Sequence, residues 1–205
     1  VMSVMNGFKT DLTNKILGLN PHIVVQSNGF RIDNLFIEKI KKNFKNINVS
    51  KYYSGEGIII NNNNAKGIII KEKNKDEKNV IKFFKDFLIE GNLSKLKSNY
   101  IFVGSELAFN LSLKKGDNLS LMSSAFVTTP LGSIPKQENF KVAGVFSTGF
   151  VEFDQNVVFL GIEDALSIFD KEKKDQNIEI FLDNPLNGNS YKKKIEKINQ
   201  NFFVY

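Results

Sequence analysis

Cysteine is absent from the 205 residues, which excludes disulfides and thiolate metal sites and leaves the redox compartment open. Arginine is nearly absent as well: of the 28 basic residues all but Arg31 are lysines. The formal charge of +6 therefore does not point to nucleic acid, because recognition of bases and phosphates leans on the guanidinium fork. The single histidine, His22, excludes a histidine-rich metal centre and would have to carry any catalytic triad alone. Its place after Pro21, at a strand entrance, reads as structural. No run of about 18 apolar residues exists, so no stretch of the sequence is long enough to span a bilayer as a helix.

What remains is a chain with 41% hydrophobic residues, enough for a core in one large domain or two small ones. Lysine, asparagine and isoleucine are overused together, as an AT-rich genome imposes on tolerant surface positions. The chain opens on "VMSVMNGF" and closes on "NFFVY"; both ends read as cut, as though a domain had been taken from a longer protein.

Val1, Met5, Phe8, Leu12 and Ile16 recur at helical spacing, with Gly18 and Pro21 as a stop. "HIVVQ" reads as a strand, Ile32 to Phe44 as a helix and "INVSKYY" as a strand. The two isoleucine triplets of "GIIINNNNAKGIII" flank a polar loop, a hairpin signal with a loop longer than the tightest type. A helix follows over Val80 to Leu88, ended by Gly91, then a strand at "YIFVG" and a short helix that the Ser105 hydroxyl could cap. "NLSLM", "FKVAGVF" and "VVFLGI" read as strands, 164–169 as a helix, "NIEIFL" as a strand, Tyr191 to Ile198 as a helix and "FFVY" as the last strand. Strand, helix, strand at either end of the chain, with a strand-rich insertion between, predicts an α+β fold with a split βαβ lobe.

Motifs for catalysis fail one by one. "GSELA" lacks the second glycine of a nucleophile elbow, and "GEG" at Gly55–Gly57 precedes isoleucines instead of a phosphate-binding helix, reading as a bulge or turn. Glu152 and Asp154 of "VEFD" would share a face on a strand and could form an acid and base pair, but their glycine, glutamine and asparagine neighbours read as a polar hairpin turn. "KEKKDQ" and "YKKKIEK" read as solvated charged faces. No cofactor site emerges.

The segment "TTPLGSIPKQ" stands out. About 17 residues separate a strand ending near Met122 from one beginning near Phe140, against roughly 2 to 5 in ordinary hairpin loops. Disorder would favour polar residues, yet Phe126, Val127, Leu131 and Ile134 are apolar. Thr129, Pro130, Leu131 and Gly132 match a type I turn, and neither Pro130 nor Pro135 can donate to a neighbouring strand. This describes a stiff projection whose Leu131 and Ile134 could anchor a partner. A loop folded back over its own core is the alternative.

"SVMNGFKTDLTNKILGLNPHI", "GSELAFNLSLKKGDNLSL", "TTPLGSIPKQENFKVAGVFSTGFVEFD" and "FLGIEDALSIF" together resemble the LolC/LolE family, the membrane subunits of the lipoprotein-releasing ABC transporter. The resemblance implies the periplasmic domain between the first and second transmembrane helices of an inner-membrane protein. It implies a MacB-like periplasmic core: a porter-like lobe of residues 1–97 and 177–205, with 1–18 continuing a transmembrane helix, and an inserted lobe of 98–176 bearing a protruding hairpin. In the LolC branch that hairpin, the hook, carries a Thr-Pro-x-Gly-x-x-Pro pattern and grips the soluble carrier LolA.

Thr129, Pro130, Gly132 and Pro135 match the pattern, so the resemblance implies a hook over 124–139. Its partner contacts would be Thr129, Pro130, Leu131, Gly132, Ser133, Ile134, Pro135, Lys136 and Gln137. Glu138 stands where a member of the family has arginine, and Ser120 where a basic residue can occur, which would change the charge match with the carrier. The LolE branch lacks the prolines, so the resemblance favours a LolC-like subunit or a merged, homodimeric type. The remaining implied partners are a second membrane subunit, a separate cytoplasmic ATPase and the lipoprotein. The domain itself would be non-catalytic and without cofactor. The alternative is an efflux or mechanotransmission domain of the MacB type. A hydrolase using Ser105 or the Glu152 and Asp154 pair is a more distant one, and a pocket gathering those groups would be its signature.

Overall fold

The structure, a computed structural model, describes residues 21–27, 32–44, 46–62, 64–130, 132–172, 176–184, 187–199 and 201–205. The helix expected at the beginning of the chain lies outside the described residues. Two compact units emerge: one of the described residues up to Tyr52 and after 175, the other of Tyr53–Glu172.

The first unit joins β1 (Ile23–Ser27), α1 (Asn34–Asn43) and β2 (Ile47–Tyr52) to β10 (Asn177–Leu182), α6 (Gly188–Ile198) and β11 (Phe202–Val204). The strands pair antiparallel in the order β11-β1-β10-β2. Two strand-helix-strand segments interleave in this way in a ferredoxin-like split βαβ lobe, as the sequence led one to expect. Alternation decides the covered face: Ile23 and Val25, Ile178 and Ile180, Phe202 and Val204 point to one side, where Phe36 and Ile40 of α1 and Ile195 of α6 bury against them. Asp33 starts α1 by accepting from the Phe36 amide, 2.8 Å away.

The second unit is a sheet closed on itself. β3 (Ser54–Asn61), β4 (Asn64–Glu72), β6 (Tyr100–Gly104), β7 (Asn118–Thr129), β8 (Gly132–Phe146) and β9 (Val157–Leu160) follow in the order β8-β6-β9-β4-β3-β7, and β7 pairs again with β8. The short β5 (Leu88–Gly91) adds to the edge of β8. Ile59, Ile70, Ile101, Val103, Leu121 and Phe140 fill the barrel, with Ala165 and Ile168 of α5 (Ile162–Ile168). β6 and β9 are buried on both faces: their alternate residues Phe102, Val157 and Phe159 turn outward, where Phe84 of α2 (Lys78–Phe87) covers them. The Phe84 and Phe102 rings meet edge to face at 4.7 Å between centroids.

Several expectations need correction. The boundary expected between 97 and 98 lies between 52 and 53, and the inserted lobe ends at Glu172, not 176. The β3–β4 hairpin belongs to the barrel because β3 pairs with β7 and β4 with β9, long-range partners with no local signal. The same hairpin is tighter than expected, its ladder running to the Asn61↔Asn64 pair. Gly55 and Gly57 form no bulge but lie in regular strand, where a Cβ would run into the Phe169 ring and Ile70 respectively. Ser105 does not cap α3 (Ser105–Asn110); Gly104 holds the cap position, and a side chain there would collide with the Asp154 backbone.

Candidate partner-docking hairpin

The stretch read as a long loop is ladder almost to its end. β7 and β8 stay paired through Phe126↔Pro135, Val127↔Ile134, Thr128↔Ser133 and Thr129↔Gly132, leaving only Pro130 and Leu131 as the connection. Leu131 lies outside the described residues. Gly132 has φ +120°, and a Cβ added to it would meet nothing within 4 Å, so backbone conformation, not space, asks for glycine there. The Thr129 hydroxyl donates to the Gly132 carbonyl at 2.7 Å and ties the tip across the turn.

Between Met122↔Gln137 and Phe126↔Pro135 the register shifts, with three residues of β7 opposite one of β8. This bulge falls beside Pro135, which has no N–H to give to a ladder. Beyond it the two strands run as a ribbon whose apolar side chains stay in solvent: Phe126 is 62% exposed, Val127 44% and Ile134 55%. The ribbon is not folded back over its own core. Strand alternation divides these groups, Phe126 and Pro135 on one face and Val127 and Ile134 on the other.

The base of the ribbon divides by the same rule. Gln137 lies on the outer face and donates to the Ser120 hydroxyl at 2.6 Å. Lys136 and Glu138 lie on the opposite face, in step with buried Phe140, and turn toward the end of α5. Lys136 donates to the Ser167 carbonyl and lies 3.7 Å from the Glu138 carboxylate. Glu138 is therefore engaged within the barrel unit and does not share a face with Gln137. Ser123, at the bulge, was not singled out from sequence; its hydroxyl donates to the Ile168 carbonyl. The signal was present in "SSA", a run of small residues where the apolar alternation of β7 stops.

Sequence relatives and solved structures bear on this geometry. No protein-family model matches the chain. The lipoprotein-releasing system transmembrane protein LolC of Buchnera aphidicola is 30% identical over 213 residues, covering 99% of this chain and 51% of that protein. LolC of Neisseria meningitidis is 25% identical over 196 residues, covering 92% and 46%. The chain thus spans about half the length of the curated relatives it matches. The periplasmic region of MacB from Actinobacillus actinomycetemcomitans superposes with a TM-score of 0.50 at 14% identity, over 89% of this chain and 87% of that one. The extracellular domain of the ABC-type transporter YknZ gives 0.50 at 11%, over 89% and 98%.

The chain is thus similar in sequence to part of the LolC proteins and shares its fold with the periplasmic region of MacB.

The α+β fold is accordingly the MacB-like periplasmic core, and the ribbon from the bulge to the tip occupies the segment from which a LolC-type hook was expected. Among the described residues no helix is long and apolar enough to cross a membrane.

The remaining candidates do not converge on a catalytic site. "VEFD" is no turn but the start of α4 (Val151–Asn156), where residues two apart do not face each other. Glu152 is exposed, whereas Asp154 is buried and committed to the loop before it, accepting from the Ser147 hydroxyl, the Thr148 amide and hydroxyl, and the Gly149 amide. A groove of about 540 Å³ on the outer face of β3, β4 and β7 is lined by Ile58, Ile69 and Met122 among others, but by none of Ser105, Glu152 and Asp154. His22 accepts from the Leu182 amide at 2.7 Å. Among the described residues no cluster of three or more histidine, cysteine or acidic side chains could hold a metal.

Burial pushes Asp164, in the first turn of α5, from 3.8 to about 6; Glu138 and Glu163 add to the rise, while the Asn99 and Tyr100 amides oppose it. Between those two values the folded chain binds more of this proton than the unfolded chain does. Stability from this group is therefore greatest below about pH 4 and declines as pH rises to about 6. Asp164→Asn keeps an acceptor for the Asn99 amide, 2.8 Å away in the parent. It is expected to remove the decline and to raise stability at pH 7 by roughly 2 kcal/mol after allowance for screening. Urea denaturation at pH 4 and pH 7 checks this; a parent and variant with parallel pH profiles would contradict it.

Proposed function

We propose that this chain is the periplasmic domain of a membrane subunit of the lipoprotein-releasing ABC transporter, LolC-like or of the merged homodimeric type, in the bacterial inner membrane. Its hook captures the soluble carrier LolA, so that lipoprotein extracted from the membrane passes to the carrier. The domain performs no chemistry; ATP hydrolysis belongs to a separate cytoplasmic subunit, and a second membrane subunit completes the complex.

The observation that carries this reading is the ribbon itself: Phe126, Val127 and Ile134 held out in solvent on a proline-punctuated hairpin. Burying one such side chain is worth roughly 1.5 to 3 kcal/mol, and a hairpin already ordered loses little entropy on binding. The similarity to the LolC proteins, transmembrane proteins of a lipoprotein-releasing system, supports lipoprotein release as the setting. The MacB-type alternative would be favoured by a folded-back segment, which is not what the ribbon does. The test is equilibrium binding of the purified chain to the organism's own LolA-like protein, with and without the ribbon's apolar groups. Capture that depends on those groups supports the reading; capture indifferent to them overturns it.

A further inference from the structure

A two-stranded ribbon is marginal on its own, and this one leaves its neighbours early. The last β3 partner of β7 is Ser123, and the β6 partners of β8 begin only at Lys141. Between those points and the tip, direction has to come from something other than strand pairing. The end of α5 supplies it. Ser123 donates to the Ile168 carbonyl, Lys136 to the Ser167 carbonyl, and the Ser167 hydroxyl donates to Glu138 at 2.9 Å. Lys136 and Glu138 lie within 3.7 Å of each other. Ser123 also accepts from the Ala125 amide at 3.1 Å, which holds the bulge in shape.

α5 is a firm support, since Ala165 and Ile168 are fully buried in the barrel. A lysine ammonium over the last carbonyls of a helix is also favoured by the helix dipole.

We infer that Ser123, Lys136, Glu138 and Ser167 form an anchor that sets the direction of the hook, and that Lys136 is a positioning residue for carrier capture and not a contact. This rests on the reading of the ribbon as the carrier-binding element. It explains why strand β8 spends a cation and an acid on its inner face just where the ribbon leaves the barrel.

The chain has no cysteine, so paired spin labels can be placed on the intact 205-residue chain at Ser133→Cys and Glu152→Cys without background. Lys136→Met is expected to broaden the distance distribution about twofold and to weaken carrier binding about tenfold, with Lys136→Arg restoring both. Ser123→Ala and Ser167→Ala each remove one hydroxyl and keep the question open to test if Lys136→Met does not fold; each is expected to broaden the distribution to a lesser degree. Unchanged widths in these variants overturn the anchor. Broadened widths with unchanged carrier affinity overturn the positioning role. Should Ile134→Ser bind the carrier as the parent does, the carrier reading falls, while the distance distributions still decide whether the anchor exists.

Discussion

Replacing Leu131 and Ile134 together by serine is expected to abolish capture of the carrier while the barrel stays folded. Each aliphatic group that leaves water on binding contributes roughly 1.5 to 3 kcal/mol, and each 1.4 kcal/mol is about tenfold in affinity. Ile134→Ser alone should therefore weaken binding by about 10-fold to 100-fold, and the double variant by a factor that takes a micromolar interaction out of range. The fold should be indifferent, because Ile134 is already 55% exposed and its ladder partner Val127 stays in place. Phe126→Ser, on the other face of the ribbon, separates two modes of grip. A carrier that encloses the ribbon loses affinity to both single changes, and one that leans against a single face loses it to one. Titration calorimetry reads all three variants; a double variant with parental affinity would falsify the hook assignment.

Phe102→Ala is expected to cost the folded chain about 4 kcal/mol. The ring is fully buried in the layer between the barrel wall and α2, in ring contact with Phe84. Around it Phe83, Phe84, Phe146 and Phe159 form further ring pairs at 5.1 to 5.8 Å. Truncation removes the transfer free energy and leaves a cavity that bulky, interlocked neighbours cannot close. Chemical denaturation gives the loss directly, and a value under about 1 kcal/mol would show that the layer collapses freely around the gap.

Most strands and helices were legible because their side chains alternate or recur at helical spacing over enough residues to be counted: Ile178, Ile180 and Leu182 in β10, or Val80, Phe84 and Phe87 in α2. The outer split βαβ lobe followed from that order alone. Two things were hidden. One was membership: the β3–β4 hairpin reads as a hairpin locally, but nothing in "GIII" says that its outer edges meet β7 and β9. The other was the state of 123–135, where prolines, glycine and serines carry turn chemistry while the backbone continues as ladder. The bulge reconciles these, placing proline where no hydrogen bond is asked of it. α4 was missed for a related reason: six residues give no period, and the helix takes its place from Asp154 closing the loop that precedes it. The Thr-Pro-x-Gly-x-x-Pro pattern of the ribbon was readable in the sequence; its bulge and its contacts with α5 are properties of the folded chain.

The strands that form the ribbon are the same ones that close the barrel, and β8 runs through without a break while the bulge of β7 at 123–125 marks the join. A tug on the tip would run along their axes and strain the cross-links to β3 and β6 side by side, in shear, so that many must give way together. Peeling would break them singly and with far less force. A load applied at the fingertip would thus be resisted by the whole wall of the cylinder.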